Sequence, residues 1–399
     1  MFALLDALPD PRPSGWRRHP LGYVLAVTLS AFTVPGFASL EAVAQWAGER
    51  SRSQLLGLGG WADPFNGAVR PPCEATIRRV LTLLDPDALV TACVAWTLAH
   101  LEVDPGAEPA AGAGEAGEEL ARRLTAVAMD GKCVRGARRA DGSMPQLMAA
   151  VTHERPVVVA QTQIPDKTSE IAAVATLLTD LGEAGWDLGS TVVTLDALHT
   201  VRATAAAITA VGAHYLMTVK ANRPLLHAAG AAAVTRSEDA RRDVQTGRGH
   251  GRTEQRHAAA VTITDADGID FPAAAQVVRI VRYRGGLDGQ RTAKQVVHVI
   301  TSLTAEQADV ATLAALVRGH WHVENGLHYV RDVTFGEDGS RARTGNLPAV
   351  LACIRNTVIA ALRLAGATGI ARARRWACEA LERIIDLFTR NANLDISSL

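Results

Sequence analysis

An acidic stretch at residues 102–119 divides this 399-residue chain into two parts. It consists of Pro, Gly, Ala and one Val together with six acidic residues, and it contains no basic residue. Such a composition buries too little apolar surface to offset the entropy lost on folding. We therefore predict a linker at residues 101–121 with a domain boundary inside it. The parts on either side are long enough to bury sizeable hydrophobic cores.

The composition indicates a globular protein from a reducing compartment. Hydrophobic residues make up 48% of the chain and charged residues 21%, which is typical of soluble domains. The 41 basic and 41 acidic residues give a formal net charge of zero, so binding to nucleic acid would depend on local basic patches. Five scattered cysteines without a C-x-x-C pair exclude a disulfide framework and a cysteine-type zinc site as organising features.

Residues 1–100 predict an all-helical domain. An uncharged run from Pro20 to Leu40 has the length of a membrane span, but polar residues and the pair Pro35-Gly36 interrupt it. Two short buried helices explain the run better, and Ser39 is suited to cap the second of them.

A basic helix is predicted from Glu74 to Leu84. Apolar residues recur on one face at helical spacing, and Arg78 and Arg79 lie on another face. The prediction is an exposed basic helix. The alternative is a buried helix whose two arginines reach the surface along their aliphatic stems.

After the linker, strand-like apolar runs alternate with helices. Strands are predicted at residues 124–129, 147–152, 156–164, 191–195 and 214–220, and helices at 170–181 and 201–211. This order predicts an α/β fold built on a mixed sheet.

A β-rich block interrupts this α/β domain. Its strands are predicted at residues 261–264, 275–283 and 295–303, and helical patterning returns at residues 313–330. We therefore divide this part of the chain into a first core segment at 122–222, an insertion at 223–312, a second core segment at 313–365 and a helical tail at 366–399.

Three carboxylates are candidates for catalysis. Asp130 and Asp196 follow buried strands, and Glu324 lies in the helix after the insertion. Functional groups of open α/β sheets collect at the carboxyl ends of strands. Converging carboxylates repel each other unless a cation neutralises them, and oxygen ligands suit Mg²⁺ or Mn²⁺ in two-metal phosphoryl chemistry. The alternative is that each Asp is an ordinary turn or cap residue.

The helix of Glu324 carries further polar residues at a spacing of four. His320, His328 and Asp332 join Glu324 along one face. Such a ladder could hold a zinc or manganese ion of its own. The alternative is a polar face lining a cleft, where the histidines orient carboxylates or bind phosphate, and the absence of H-E-x-x-H spacing favours it.

Basic residues are concentrated near these carboxylates. Lys132 and Arg135 follow Asp130, several arginines lie in the inserted strands, and Arg331 follows Glu324. Solvated faces explain most charge clusters, but this placement is also what a polyanionic substrate requires.

Several longer motifs resemble a single family. They are Asp130-Gly131-Lys132, Asp166-Lys167-Thr168-Ser169-Glu170-Ile171, Asp196-Ala197-Leu198-His199-Thr200, Tyr215-Leu216-Met217-Thr218-Val219-Lys220-Ala221-Asn222, His250-Gly251-Arg252, His320-Trp321-His322-Val323-Glu324-Asn325 and Asp332-Val333-Thr334-Phe335-Gly336-Glu337-Asp338. Together with Leu8-Pro9-Asp10-Pro11-Arg12, they resemble the H-repeat-associated branch of bacterial insertion-sequence transposases over about residues 5–365.

This resemblance implies a DDE core on a ribonuclease-H-like α/β fold. The expected architecture is a mixed sheet with helices on both faces, interrupted by a β-rich insertion and preceded by an all-helical N-terminal domain that binds DNA ends. Asp130, Asp196 and Glu324 would form the catalytic, metal-binding triad and hold Mg²⁺ or Mn²⁺, with two ions expected.

The resemblance also implies contacts with double-stranded DNA. The residues expected to make them are Lys132, Arg135, Lys220, Asn222, Arg331, Arg78 and Arg79. Arg331 stands where related transposases carry a basic partner of the glutamate, and His320 stands where they carry an arginine. The roles of four residues around the site stay open, namely His199, His320, His328 and Asp332.

The expected function is that of a cytoplasmic transposase. It would bind the terminal repeats of its own element, cut at the ends and join the freed 3′-hydroxyl to target DNA, as a homodimer or a larger synaptic complex. Two alternatives stay open: a metal-dependent nuclease without strand transfer, and a decayed copy that only binds DNA. Substitution within the triad would favour the decayed copy, and all three carboxylates are present.

Overall fold

A computed structural model describes residues 1–101, 124–164, 170–237, 240–249, 252–286, 291–389 and 394–398. The predicted linker lies almost entirely outside these ranges, as do Ser169 and the pair His250-Gly251. The helices before the linker are α1 Phe2–Asp6, α2 Leu21–Thr33, α3 Leu40–Gly48, α4 Arg52–Gly57, α5 Glu74–Leu83 and α6 Pro86–His100.

The uncharged run near the N-terminus forms two helices, as predicted. Helix α2 ends at Thr33, and the hydroxyl of Ser39 accepts a hydrogen bond of 3.1 Å from the amide of Ala42 at the start of α3. All thirteen residues of α2 are buried within the protein. The apolar character of this run is therefore explained by packing.

The later part of the chain contributes nine strands to a single sheet. They are β1 Thr125–Cys133, β2 Gln146–Thr152, β3 Val158–Ile164, β4 Thr191–Leu195, β5 His214–Val219, β6 Arg241–Gly249, β7 Arg252–Thr262, β8 Gln276–Gly286 and β9 Arg291–Thr301. Their order is β3-β2-β1-β4-β5-β9-β8-β7-β6. Strands β1, β2 and β3 pair antiparallel, whereas β1, β4 and β5 pair parallel. This mixed arrangement confirms the expected ribonuclease-H-like fold.

The inserted block extends this sheet. Strand β9 pairs antiparallel with β5, and β8, β7 and β6 follow outward. Sequence patterning missed β6, because the segment Arg-Arg-Asp-Val-Gln-Thr-Gly-Arg-Gly has a single large apolar residue and resembles a charged loop. The strand predicted at 261–264 overlaps β7 only at its last two residues, because the first part of β7 is polar and charged. The division into domains at 222 and 312 stays a prediction.

Helices cover both faces of the sheet, as predicted. The described helices after the linker are α7 Glu170–Glu183, α8 Arg202–Ala210, α9 Pro224–Arg236, α10 Val310–Gly319, α11 Leu347–Leu364, α12 Ile370–Ala377 and α13 Leu381–Thr389. Alternate side chains of a strand point to opposite faces. Accordingly, Val127 and Met129 pack in one core with α7 and α8, whereas Ala128 packs in another with α11 and the N-terminal helices.

Helix α11 is the central helix of the second core. Its length and composition would also suit a membrane span, but 89% of it is buried inside the protein. It packs against α2, α5 and α6, and Asn346 just before it donates a hydrogen bond of 2.9 Å to the carbonyl of Leu84. The N-terminal helices therefore share a hydrophobic core with the part of the chain that forms the sheet.

Candidate active site

Asp130 and Asp196 lie at equivalent positions of adjacent parallel strands. The register of β1 and β4 pairs Ala128 with Thr194, and each aspartate comes two residues later. Because the side-chain period of a strand is two, both carboxylates leave the sheet on the same face as this pair. Asp196 directly follows β4, as predicted. The predicted strand end at Asp130 is wrong, because β1 continues to Cys133 by pairing with β2.

Glu324 comes from a π-helical segment that continues α10. This segment spans Val323–His328 and Val330–Thr334, so the predicted helix is present in a wider form. Val323 and Leu327 are buried in the same core as Ala128, whereas Glu324 is exposed. π-Helical turns are frequent at functional sites.

Three other carboxylates affect the pKa of Asp130. The pKa of Asp130 is raised to about 7, chiefly by burial and further by the negative charges of Asp196, Glu324 and Glu170, while a hydrogen bond from the backbone of Gly131 opposes this rise. The fold therefore places Asp196 and Glu324 close enough to Asp130 to affect its pKa, although the three residues are far apart in the sequence. Asp196 also makes a turn contact, since one of its carboxylate oxygens accepts a hydrogen bond of 2.8 Å from the amide of Leu198.

Glu170 is a fourth carboxylate of this site, which the sequence patterning assigned only to a helix start. It opens α7 and is buried. A Cβ atom at Gly131 would lie 2.9 Å from Oε1 of Glu170, so the absence of a side chain at Gly131 admits this carboxylate. Nε2 of His199 lies 3.7 Å from Oε2 of Glu170. The sequence signal that could have identified Glu170 was its place in the motif Asp166-Lys167-Thr168-Ser169-Glu170-Ile171.

The polar ladder after α10 does not act as one metal site. Nδ1 of His328 lies 3.6 Å from Oδ2 of Asp130, and burial lowers the pKa of His328 to about 3. Asp332 instead pairs with Lys132, whose Nζ lies 2.7 Å from each of the two carboxylate oxygens. Nδ1 of His320 lies 3.1 Å from the hydroxyl of Thr194. Because the ladder residues contact different partners, the interpretation of the ladder as a polar face that lines a cleft is supported.

One predicted DNA contact needs correction. The side chain of Arg331 is 1% exposed, and its Nε and Nη2 atoms each donate a hydrogen bond of 2.9 Å to Glu337. Arg355 donates to the same carboxylate at 3.1 Å. Arg331 therefore belongs to a buried ion-pair network, because a guanidinium enclosed in this way does not reach a DNA phosphate.

Lys132 is also nearly buried, with a side chain that is 9% exposed and paired with Asp332. Arg135, by contrast, has a side chain that is 74% exposed. Lys220 is exposed, and its charge helps to lower the pKa of His320, which burial brings to about 4. Asn222 donates a hydrogen bond of 2.8 Å to the carbonyl of Ala197 and so holds the turn after Asp196.

Helix α5 is exposed and basic, as predicted. Ile77 and Val80 are buried, whereas Arg78 and Arg79 are exposed. Arg78 pairs with Glu74 within the helix, and the guanidinium of Arg79 lies 4.7 Å from the ring centre of Trp16. The alternative of a buried helix does not apply.

A basic cavity of about 550 Å³ opens beside Glu324, between the inserted strands and α10. Its lining includes Arg256, Arg282, Arg284, Arg318, Trp321 and Asn325. Glu254 pairs with Arg256 and Arg282 and offsets part of this charge. The cavity brings basic residues of the insertion together with Asn325, the neighbour of Glu324 in the chain.

The donor chemistry of the site fits a divalent cation. Carboxylate oxygens are the ligands that Mg²⁺ and Mn²⁺ prefer. The pKa of Asp130 is raised chiefly by burial and in smaller part by neighbouring carboxylates, and a bound cation would favour the ionised form against both effects. In the part of the chain that the structure describes, no three His, Cys, Asp or Glu side chains form a group that could hold a metal ion. Asp130, Asp196 and Glu324 are therefore suitable ligands for a divalent cation by their chemistry, although their side chains are not arranged around a common point as they would be with an ion bound.

Comparison with known proteins gives consistent matches along the chain. The family model described as "DDE_Tnp_1-associated" matches residues 2–97. "Putative transposase YncI" of Escherichia coli O157:H7 is 26% identical over 90% of this chain and 86% of its own length. "H repeat-associated putative transposase YhhI" of Escherichia coli K12 is 26% identical over 89% and 88%.

A solved structure, a piggyBac transposase synaptic complex with hairpin DNA, covers 98% of this chain and 75% of its own at 9% identity, with a TM-score of 0.38. We draw nothing from a similarity at this level. The family model described as "Transposase DDE domain" matches residues 122–360, which is more than half of the chain and includes Asp130, Asp196 and Glu324. The chain therefore belongs to the transposase DDE domain family.

Proposed function

We propose that this protein is the transposase of a bacterial insertion sequence. It binds the terminal repeats of its element, hydrolyses phosphodiester bonds at the ends and transfers the 3′-hydroxyl to target DNA. The observation that carries this proposal is the equivalent position of Asp130 and Asp196 on adjacent parallel strands, with Glu324 near enough to raise the pKa of Asp130.

In this proposal, Asp130, Asp196 and Glu324 hold two divalent cations, Mg²⁺ or Mn²⁺. When bound, the ions would activate water or the 3′-hydroxyl and stabilise the leaving oxygen. The amide of Leu198 restrains the carboxylate of Asp196. With a pKa of about 3, His328 is neutral at pH 7 and lies beside Asp130 without adding a competing positive charge.

We assign DNA binding to two exposed basic surfaces. The first is the cavity beside Glu324 together with Arg135 and Lys220, where arginines would bind phosphates of the cleaved strand. The second is the exposed face of α5 with Arg78 and Arg79, for recognition of the terminal repeat. Synapsis of two element ends would require a homodimer or a larger complex, acting in the cytoplasm.

A metal-dependent nuclease without strand transfer is the second candidate. The same three carboxylates would serve both activities, since both begin with hydrolysis of a phosphodiester bond. The products distinguish the two functions.

The test is an assay of cleavage and strand transfer on a labelled duplex that ends in the element's terminal repeat. The wild type is compared with Asp196→Asn in Mg²⁺ and in Mn²⁺. We expect joined products from the wild type and a loss of at least about 100-fold in the variant, because the substitution removes a metal-binding charge. Asp265→Asn, an exposed residue outside the site, is the matched control and should keep full activity.

Three results would change the proposal. Metal-dependent cleavage without joining would identify the nuclease. Binding without chemistry in either metal would identify a decayed copy. Full activity of Asp196→Asn would remove Asp196 from the catalytic site.

A further inference from the structure

A chain of hydrogen bonds links the Glu324 segment to strand β4. The hydroxyl of Thr194 lies 2.9 Å from Nε2 of His153 and 3.1 Å from Nδ1 of His320. Thr194 is completely buried, and His153 is 7% exposed. A hydroxyl both donates and accepts, and a neutral imidazole does the same, so one threonine satisfies both rings.

Thr194 and His320, which this hydrogen bond joins, are each close in sequence to a candidate carboxylate. Thr194 precedes Asp196 by two residues and shares its face of the sheet. His320 precedes Glu324 by four residues, about one helical turn. A polar connection between the two carboxylate-bearing elements therefore passes through the hydroxyl of Thr194.

The surroundings are built for this contact. A Cβ atom at Gly319 would lie 2.2 Å from Nδ1 of His153, so the position before His320 must be glycine for the ring to fit. His153 is itself held in place. Its amide donates a hydrogen bond of 3.1 Å to the carbonyl of Ala126, and its carbonyl oxygen lies 2.6 Å from Nδ1 of His322.

A second contact holds the other side of Glu324. Arg363 on α11 donates to the carbonyls of Gly326 and Pro156. The segment that carries Glu324 is thus restrained before and after the glutamate, and the contact of His320 with Thr194 reaches the strand of Asp196 directly.

We propose that His320 is a positioning residue, which sets the place of Glu324 relative to Asp196 by holding the hydroxyl of Thr194. This gives an inward, structural role to a residue whose role the sequence analysis left open. The inference rests on the proposed function where activity is the readout. It also states, independently of that function, that the contact between His320 and Thr194 keeps residues 320–334 well ordered.

The decisive variant is Thr194→Val, which keeps the shape of the side chain and removes the hydroxyl. Thr194→Ser restores the hydroxyl, and Thr28→Val is the matched control, because Thr28 is also completely buried and lies in α2. Circular dichroism and thermal unfolding establish that each variant folds. Hydrogen exchange then reports on residues 320–334, and calorimetry measures Mn²⁺ affinity without DNA.

We expect Thr194→Val to exchange faster at residues 320–334, to bind Mn²⁺ about tenfold more weakly and to cleave DNA up to about 100-fold more slowly, since a misplacement of about 1 Å has effects of this size. Thr194→Ser should behave like the wild type in all three measurements. Thr28→Val should leave residues 320–334 unchanged.

Three outcomes would overturn the proposal: unchanged exchange of residues 320–334 in Thr194→Val, an equal defect in Thr194→Ser, or the same local change in Thr28→Val. If the wild type cleaves no DNA, the proposed function fails, and hydrogen exchange still decides whether His320 and Thr194 position this segment.

Discussion

Arg331 and Glu337 form a bidentate ion pair in which both side chains are at most 1% exposed. Arg355 on α11 contacts the same carboxylate. Burial alone would raise the pKa of Glu337, but the two guanidinium groups hold it below its ordinary value. The network joins the end of the Glu324 segment to the central helix of the core.

Glu337→Gln should therefore destabilise the protein strongly. Removing the carboxylate leaves two buried guanidinium groups without compensation, which costs about 3–5 kcal/mol of unfolding free energy. Urea denaturation at pH 7 measures this loss. The control is Glu379→Gln, since Glu379 is 63% exposed and pairs with Arg383 at the surface, where about 0–1 kcal/mol is expected. Equal effects of the two variants would contradict a structural role for the buried network.

Asp130 should lower the stability of the metal-free protein at neutral pH. Its pKa is raised from 3.8 to about 7 in the folded state, so the folded state binds more protons than the unfolded state between these values, and the unfolding free energy falls as the pH rises. Asp130→Asn removes this penalty. Its advantage over the wild type should grow by about 2–3 kcal/mol between pH 5 and pH 7.

Urea denaturation in EDTA at the two pH values checks this expectation. Asp265→Asn, an exposed substitution of the same kind, should show no such change with pH. A constant difference between Asp130→Asn and the wild type would mean that Asp130 titrates in its ordinary range.

Glu170→Gln should lower the pKa of Asp130. Glu170 contributes one of the negative charges that raise this pKa, and the substitution removes the charge while keeping the size of the side chain. The titration of Asp130, followed by the NMR signal of its side-chain carboxyl carbon, should move to lower pH. Glu183→Gln at the other end of α7 is the control. An unchanged titration would show that Glu170 acts only on the packing around Gly131 and His199.

Arg318→Ala should weaken DNA binding uniformly across sequences. Arg318 is exposed at the mouth of the basic cavity beside Glu324. A lost phosphate contact reduces the slope of log K against log salt by about 1. Fluorescence anisotropy at several salt concentrations gives this slope, with the exposed Arg372 on α12 replaced by Ala as the control. Identical slopes for all three proteins would place the DNA elsewhere.

Local patterns predicted the helical character of residues 1–100, the core helices at 170–181 and 201–211 and most core strands, but they missed helix α9 within the insertion. The break between α2 and α3, the cap at Ser39 and the exposed face of α5 depend on neighbouring residues, so caps and hydrophobic periodicity indicate them. Strand β6 has too few apolar residues to show such a pattern, and its pairing with β7 is visible only in the three-dimensional structure.

The sequence by itself, through its strand pattern and its resemblance to a family, determined the mixed α/β core and named the three candidate carboxylates. Only the tertiary structure decided how side chains far apart in the chain are paired. It placed Arg331 in the core, Glu170 beside Asp130, and Lys132 on Asp332, 200 residues away. The physical reason is that a buried charge or hydroxyl needs a partner at contact distance, and no local pattern records which distant residue the fold brings there.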